Sequence, residues 1–275
     1  GFTGNHGGQI RASLGKTWGK SSFNVDFKQL NDNVVFYTDY PVTYNSKGKI
    51  VAVSGFDGNY GAIAGAETQR MNMIQGDNSL YHYDNSVGTA VNRSQVTVKF
   101  QTEFSNGWVL KNSLRYDNTQ TQRNGLFALN LLTADSFYRA QSGLLTQAPG
   151  ATKLGFQYVN GGTLFNNASQ NGNGLVIQGG LRGVTMPVTE VTNDLHLSHV
   201  FYTGSSKHDF NFGYYYAHFS ENFSRYSSKL YLDVQNNSKL LNIVALDDTG
   251  KIVHTYSDNG VSQYGYEWAD ANGEQ

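Results

Sequence analysis

The sequence predicts an all-β fold, an antiparallel transmembrane β-barrel segment: a partial barrel with short periplasmic turns and long extracellular loops. Three observations predict it. Arms of period-two alternation recur in pairs, each pair is joined by a turn of a few residues, and long, polar, aromatic-rich stretches separate the pairs. Period two is the strand period, and short turns at one end with long loops at the other is the layout of outer-membrane barrels.

The first hairpin is expected from Gln9 to Thr17, through a turn at Trp18-Gly19-Lys20-Ser21, and back from Ser22 to Leu30. Its return arm sets Phe23, Val25 and Phe27 against Asn24, Asp26 and Lys28. The second, Arg93 to Tyr116, turns at Ser105-Asn106-Gly107. It places Val96, Val98, Phe100 and Phe104 on one face and Gln95, Thr97, Lys99, Gln101 and Glu103 on the other. The third runs from about Val188 to Tyr202, turns through Thr203-Gly204-Ser205-Ser206 and returns from Lys207 to about Phe219. Between them lie connectors at Asn31 to Asn92 and Asn118 to Pro187, the second holding a helix near Thr133 to Gln141 capped by Thr133 or Asp135. A third connector follows Ser220, with a strand at Leu230 to Val234, a turn at Asp247-Asp248-Thr249-Gly250 and a further strand from Gly260 to Trp268. In a barrel the apolar faces would touch lipid and the polar faces would line a wet interior, with Trp18 and Trp108 as interfacial aromatics beside the short turns. A soluble β-sandwich alternates in the same way.

Composition agrees with strands that carry one polar face. Hydrophobic residues make up 39% of the 275, while Tyr 18, Phe 16 and Gly 31 are abundant; such a chain fits a large helical core poorly. The net charge of -1, without a basic run, argues against a nucleic-acid partner. The absence of cysteine excludes thiolate metal sites, cysteine nucleophiles and disulfides. No stretch is apolar for the roughly 18 residues of a spanning helix, which a barrel does not need.

Several segments resemble a known family. Asn5-His6-Gly7-Gly8-Gln9-Ile10-Arg11-Ala12 leads into the first hairpin, whose return arm runs into Leu30-Asn31-Asp32-Asn33-Val34-Val35-Phe36-Tyr37-Thr38-Asp39-Tyr40-Pro41. Ser54-Gly55-Phe56-Asp57 follows, and Leu232-Asp233-Val234-Gln235-Asn236-Asn237-Ser238-Lys239-Leu240-Leu241 and Asp248-Thr249-Gly250-Lys251-Ile252-Val253 stand late in the chain. In this order, over most of its length, the chain resembles the barrel region of proteobacterial TonB-dependent receptors. The resemblance implies a barrel of about 22 strands with a plug domain in its lumen, located in the bacterial cell outer membrane. It also implies capture of a scarce small nutrient, such as a siderophore or carbohydrate, released inward when the TonB energy-transducing complex pulls on the plug. The expected partners are therefore outer-membrane lipid, the protein's own plug, that complex and the nutrient; no cofactor is expected. Residues 1–275 lack a plug, a TonB box and a final aromatic-ended strand, so the chain is expected to be an internal piece of a longer protein. A passive porin-type channel and a soluble carbohydrate-binding β-protein remain as alternatives.

No catalytic set converges. His196 and His199 fall on opposite strand faces, Asp194 and His196 share one, and His82 with Asp84 and Asp77 lacks metal-ligand spacing. There is no G-x-S-x-G elbow, and Gly58 to Gly65 is no dinucleotide fingerprint. No enzyme activity and no metal are expected. The candidate ligand residues are the connector aromatics Tyr37, Tyr40, Phe56, Tyr60, Tyr81, Tyr83, Phe137 and Tyr138, whose faces stack on sugars or aromatic chelates, with Asp57, Arg70 and Arg139 giving polar direction.

Overall fold

The computed structural model describes residues 5–35, 39–166, 168 and 172–270. Its framework is an antiparallel meander of long strands: β1 (His6–Trp18), β2 (Ser21–Val34), β7 (Thr89–Glu103), β8 (Trp108–Thr133), β10 (Leu175–Thr203) and β11 (Ser206–Asp233), neighbours in that order. The intervening numbers belong to the connectors: β3 (Val42–Tyr44), β4 (Ile50–Ala52), β5 (Arg70–Ile74) and β6 (Leu80–Asp84) in the first, and α1 (Ala134–Ala140) and β9 (Lys153–Tyr158) in the second. The third holds β12 (Leu240–Leu246) and β13 (Ile252–Thr255), and β14 (Val261–Asp270) follows it. The protein is mostly β, a large antiparallel sheet of long strands, and among the described residues the sheet does not close on itself.

The tight turns that join the long framework strands lie at one end. Gly19-Lys20 joins Trp18 to Ser21 and Gly204-Ser205 joins Thr203 to Ser206, with Gly19 and Gly204 at φ +52° and +62°. Two-residue hairpin turns need such positive φ to follow the right-handed strand twist, and glycine adopts it without a steric penalty. The connectors all leave from the opposite end. They are shorter than the sequence predicts, residues 35–88, 134–174 and 234–260, because the strands run on past their alternating parts. β8 reaches 26 residues and β10 29, and the expected strand at Leu230 to Val234 is mostly the end of β11. The helix α1 forms where predicted, and Thr133 caps it by accepting a hydrogen bond from the Ser136 amide at 3.1 Å.

The two ends of the sheet are built differently. At the turn end neither face is covered. One face carries Phe23, Val25, Phe27, Val96, Val98, Phe100, Leu114, Tyr116, Phe212 and Tyr214, aligned by the register Val25↔Val98↔Leu114 and its neighbours. Many of these side chains are exposed, Tyr214 by 55% and Phe212 by 54%. Asn112 and Asn193 sit among them and exchange amide hydrogen bonds of 3.1 and 3.2 Å, which satisfies polar groups an apolar surroundings would penalise.

At the connector end of β8, β10 and β11 both faces are covered. The first connector packs Val53, Phe56, Ile63, Met73, Tyr81 and Tyr83 onto Leu126, Ile177, Leu181, Leu230 and Leu232. This is the continuation of the apolar face. The second and third connectors pack Phe137, Phe156, Tyr158 and Ile243 onto Val176 and Tyr231, on the opposite face. Runs such as Val176-Ile177 and Leu230-Tyr231-Leu232 are apolar on both faces because both are buried. Each large side chain buried there contributes about 1.5–3 kcal/mol.

Candidate functional site

On the turn-end half of the sheet the face opposite the apolar one is an ordered polar surface. Asp26 accepts hydrogen bonds from Lys99 at 2.9 Å, Ser13 at 2.7 Å and Asn24 at 2.8 Å. Arg93 grips the buried Asp117, which also accepts from Thr119 and Gln95. Arg115 meets Glu190 at 2.8 Å. These are cross-strand neighbours of opposite charge, the pairs that fix register on a polar face. Asp194 and His196 do come together, at 2.8 Å, and with Lys99, Lys111 and Asn24 line a groove of about 380 Å³. His199 faces the other way and stacks on Trp108 with ring centroids 4.7 Å apart. Both lie near the turn end, where Trp18 is also half exposed.

The predicted ligand residues fall into three separate groups rather than one site, and Tyr37 lies outside the described residues. In the first group, Tyr40 packs edge-on against Phe56 at 5.6 Å and its hydroxyl donates to the Gly61 carbonyl at 3.2 Å. Asp57 closes the adjoining turn by accepting from the amides of Asn59 and Tyr60, and the Tyr60 ring is 92% exposed. Phe56 itself is buried. The second group is the β5–β6 hairpin, where Arg70 pairs with Asp84 at 2.8 Å and Tyr81 and Tyr83 are buried against the sheet. Burial pushes the Asp84 carboxyl up, but hydrogen bonds from Ser86 and Arg70 outweigh it and hold the group below the usual carboxylate range. The third group is α1 on the opposite face, with Phe137 buried, Tyr138 half buried and Arg139 exposed.

Burial decides what these aromatics can do. Phe56, Tyr81, Tyr83 and Phe137 hold the connectors to the sheet and offer no open ring to a ligand; an apolar ring gains more from a dry core than from water. Tyr40, Tyr60, Tyr138 and Arg139 keep accessible surface.

Tyr40 borders a cavity of about 290 Å³ together with Asp39, Pro41, Leu129, Asn130 and Leu131. A β-bulge opens it: Ala128 pairs with Gly179 and Asn130 with Gln178, leaving Leu129 unpaired. The Ala128 amide donates to the Asp39 carboxylate at 2.8 Å, so the first connector is tied to the bulge itself. Sequence reading missed Leu129 and Asn130, since a bulge leaves no mark in the alternation. At the far end of β11, beyond the exposed apolar band, Asp233 is buried and accepts from the Lys239 amide at 2.7 Å, the Tyr158 hydroxyl at 3.0 Å and Gln235. Burial raises its pKa against the pull of these donors.

Compared with known proteins, the chain matches no family model, no curated protein and no solved structure.

Proposed function

We propose that the chain forms part of the barrel wall of a TonB-dependent outer-membrane receptor, which binds a scarce small nutrient and imports it with energy from the inner membrane. The observation that carries this reading is the turn-end half of the sheet, which has no core on either face. A soluble protein rarely leaves so large a contiguous apolar surface in water; lipid would cover it. The segment from Val96 to Phe104 is nine residues, roughly 27 Å of strand at about 3.4 Å per residue, within the roughly 9–11 tilted residues that cross a hydrocarbon layer. The opposite face, ion-paired and wet, suits a lumen that holds water and a plug. Short turns at one end then lie in the periplasm and the connectors outside the cell, where Tyr40, Tyr60 and the bulge cavity would meet ligand first.

A soluble carbohydrate-binding protein gives no reason for the bare apolar face. A passive porin explains that face equally well, and the plug separates the two. The test is fractionation of the full-length gene product. We expect it in the outer membrane, extracted only by detergent, with a folded form that migrates faster than the boiled form in gel electrophoresis. Recovery as a soluble monomer would sink the reading, and a reading frame without any plug would turn it into the porin.

A further inference from the structure

We infer that the polar face carries a built subsite for an oxyanionic group, a carboxylate, phosphate or sulfate, on the imported ligand. The inference rests on the receptor reading for the origin of the ligand, and on the following geometry for the site itself.

Three adjacent strands form two rows on that face. Arg182 of β10 stands opposite Ser227 of β11, which stands opposite Gly265 of β14. In the next row Lys229 of β11 stands opposite Gln263 of β14, beside Gly180 of β10. Arg182 and Lys229 are thus diagonal neighbours on paired strands, about 7 Å apart at the backbone, a span that two long cationic side chains close around one anion. Gly180 lies where a Cβ would strike the Ser228 carbonyl at 2.1 Å, and Gly265 leaves its corner open. A Cβ at Gly265 would come within 2.7 Å of the Ser227 hydroxyl, so a side chain there would fill the space. Together these residues line a cavity of about 210 Å³.

The charge in this cavity is not neutralised from within the fold. Among the described residues neither Arg182 nor Lys229 forms an ion pair, whereas Arg93, Lys99 and Arg115 lower on the same face do. Glu267 of β14 lies in the row of Arg225 and is engaged by it. Arg182 is braced instead by the ring of Phe127, 5.2 Å from its guanidinium carbon, which holds the fork in place without consuming its hydrogen-bond donors. Gln263 adds a neutral amide donor, while the Ser227 hydroxyl donates to the Gly265 carbonyl at 3.3 Å. Two cations, one of them a braced guanidinium, and a neutral amide donor suit an oxyanion, for which arginine offers paired N–H groups.

Isothermal titration of the folded full-length gene product in detergent, with citrate and with inorganic phosphate as probes and glucose as the uncharged control, tests this. We expect at least one anion to bind and glucose not to. Arg182→Gln and Lys229→Gln should each weaken that binding by about tenfold or more, Lys229→Arg should retain it, and Lys207→Gln, at the turn end, should leave it unchanged. Circular dichroism shows that each variant is folded. No anion binding by the wild type, or equal weakening by Lys207→Gln, overturns the subsite. The two readings fail separately. A product found outside the membrane that still binds anions through Arg182 keeps the site and loses the receptor; a membrane-integrated product with no Arg182-dependent binding does the reverse.

Discussion

Tyr81 and Tyr83 are two residues apart on β6, so both rings point into the core, yet their hydroxyls are placed differently. That of Tyr81 donates to Asn124 Oδ1 at 2.5 Å and accepts from Gln122 at 3.1 Å, while its ring stacks on Tyr226 with centroids 4.0 Å apart. That of Tyr83 is buried with no hydrogen-bond partner among the described residues. A buried hydroxyl without a hydrogen bond forfeits its hydration and gains nothing in return, whereas removing a bonded one orphans its partner. Tyr83→Phe is therefore expected to be neutral or to stabilise by about 1 kcal/mol, and Tyr81→Phe to destabilise by about 1–2 kcal/mol by leaving Asn124 unsatisfied. Thermal unfolding of the two variants checks this; shifts of the same sign would contradict the different environments. Both tyrosines were legible as connector aromatics. Their burial was not, because it depends on a hairpin folding back over strands far away in the chain.

The elements differ in how much of them the sequence exposes. β7 and the first half of β8 are plain from alternation, since one face is apolar and the other polar. The second half of β8 begins Asn118-Thr119-Gln120-Thr121-Gln122-Arg123 and is polar on both faces, so it has no period to read. It is a strand because β7 pairs with it on one side and β10 on the other. The same holds for the early part of β10, where Gly179, Gly180 and Gly183 hide the ladder behind what looks like loop composition. Gly183 has a packing reason: a Cβ there would lie 2.2 Å from the Tyr81 ring. Gly183→Val is accordingly expected to unseat the β5–β6 hairpin while the long ladder persists. Limited proteolysis should then cut within residues 35–88 several times faster than in the wild type, whereas Gly8→Val, with open space around its Cβ, should leave the rate unchanged. Equal rates for all three proteins would show that the hairpin does not depend on this contact.

For the molecule as a whole the question is what solvent each face of the sheet meets. Val98 and Thr97 are adjacent on β7 and face opposite ways, Val98 beside Val25 and Leu114, Thr97 opposite Asp26 and Arg115. If lipid covers the first face, Val98→Arg should cost about 2–4 kcal/mol near the bilayer midplane and depress the yield of folded, heat-modifiable protein in outer membranes. Thr97→Arg places the same charge on the wet face beside Asp26 and should be tolerated. Equal yields of the two variants would remove the basis for assigning lipid to the apolar face. The open edges point the same way, since β1 and the turn-end half of β11 present unpaired ladder groups among the described residues, and a closed barrel would satisfy them.

The sequence by itself determined that the chain is mostly β, where three tight turns fall, which side chains share a face and that a helix lies near Thr133 to Gln141, with its cap left between Thr133 and Asp135. All of these are local, set by period-two alternation, glycine at positive φ and residues that cap a helix. Only the tertiary structure decided that the connectors sandwich one end of the sheet, that Phe56, Tyr81, Tyr83 and Phe137 are core, that a bulge at Leu129 opens a cavity beside Tyr40, and that Arg182 and Lys229 line one cavity. Those outcomes depend on pairing between residues tens of positions apart, and the register that sets them is a property of the whole ladder rather than of any stretch of it.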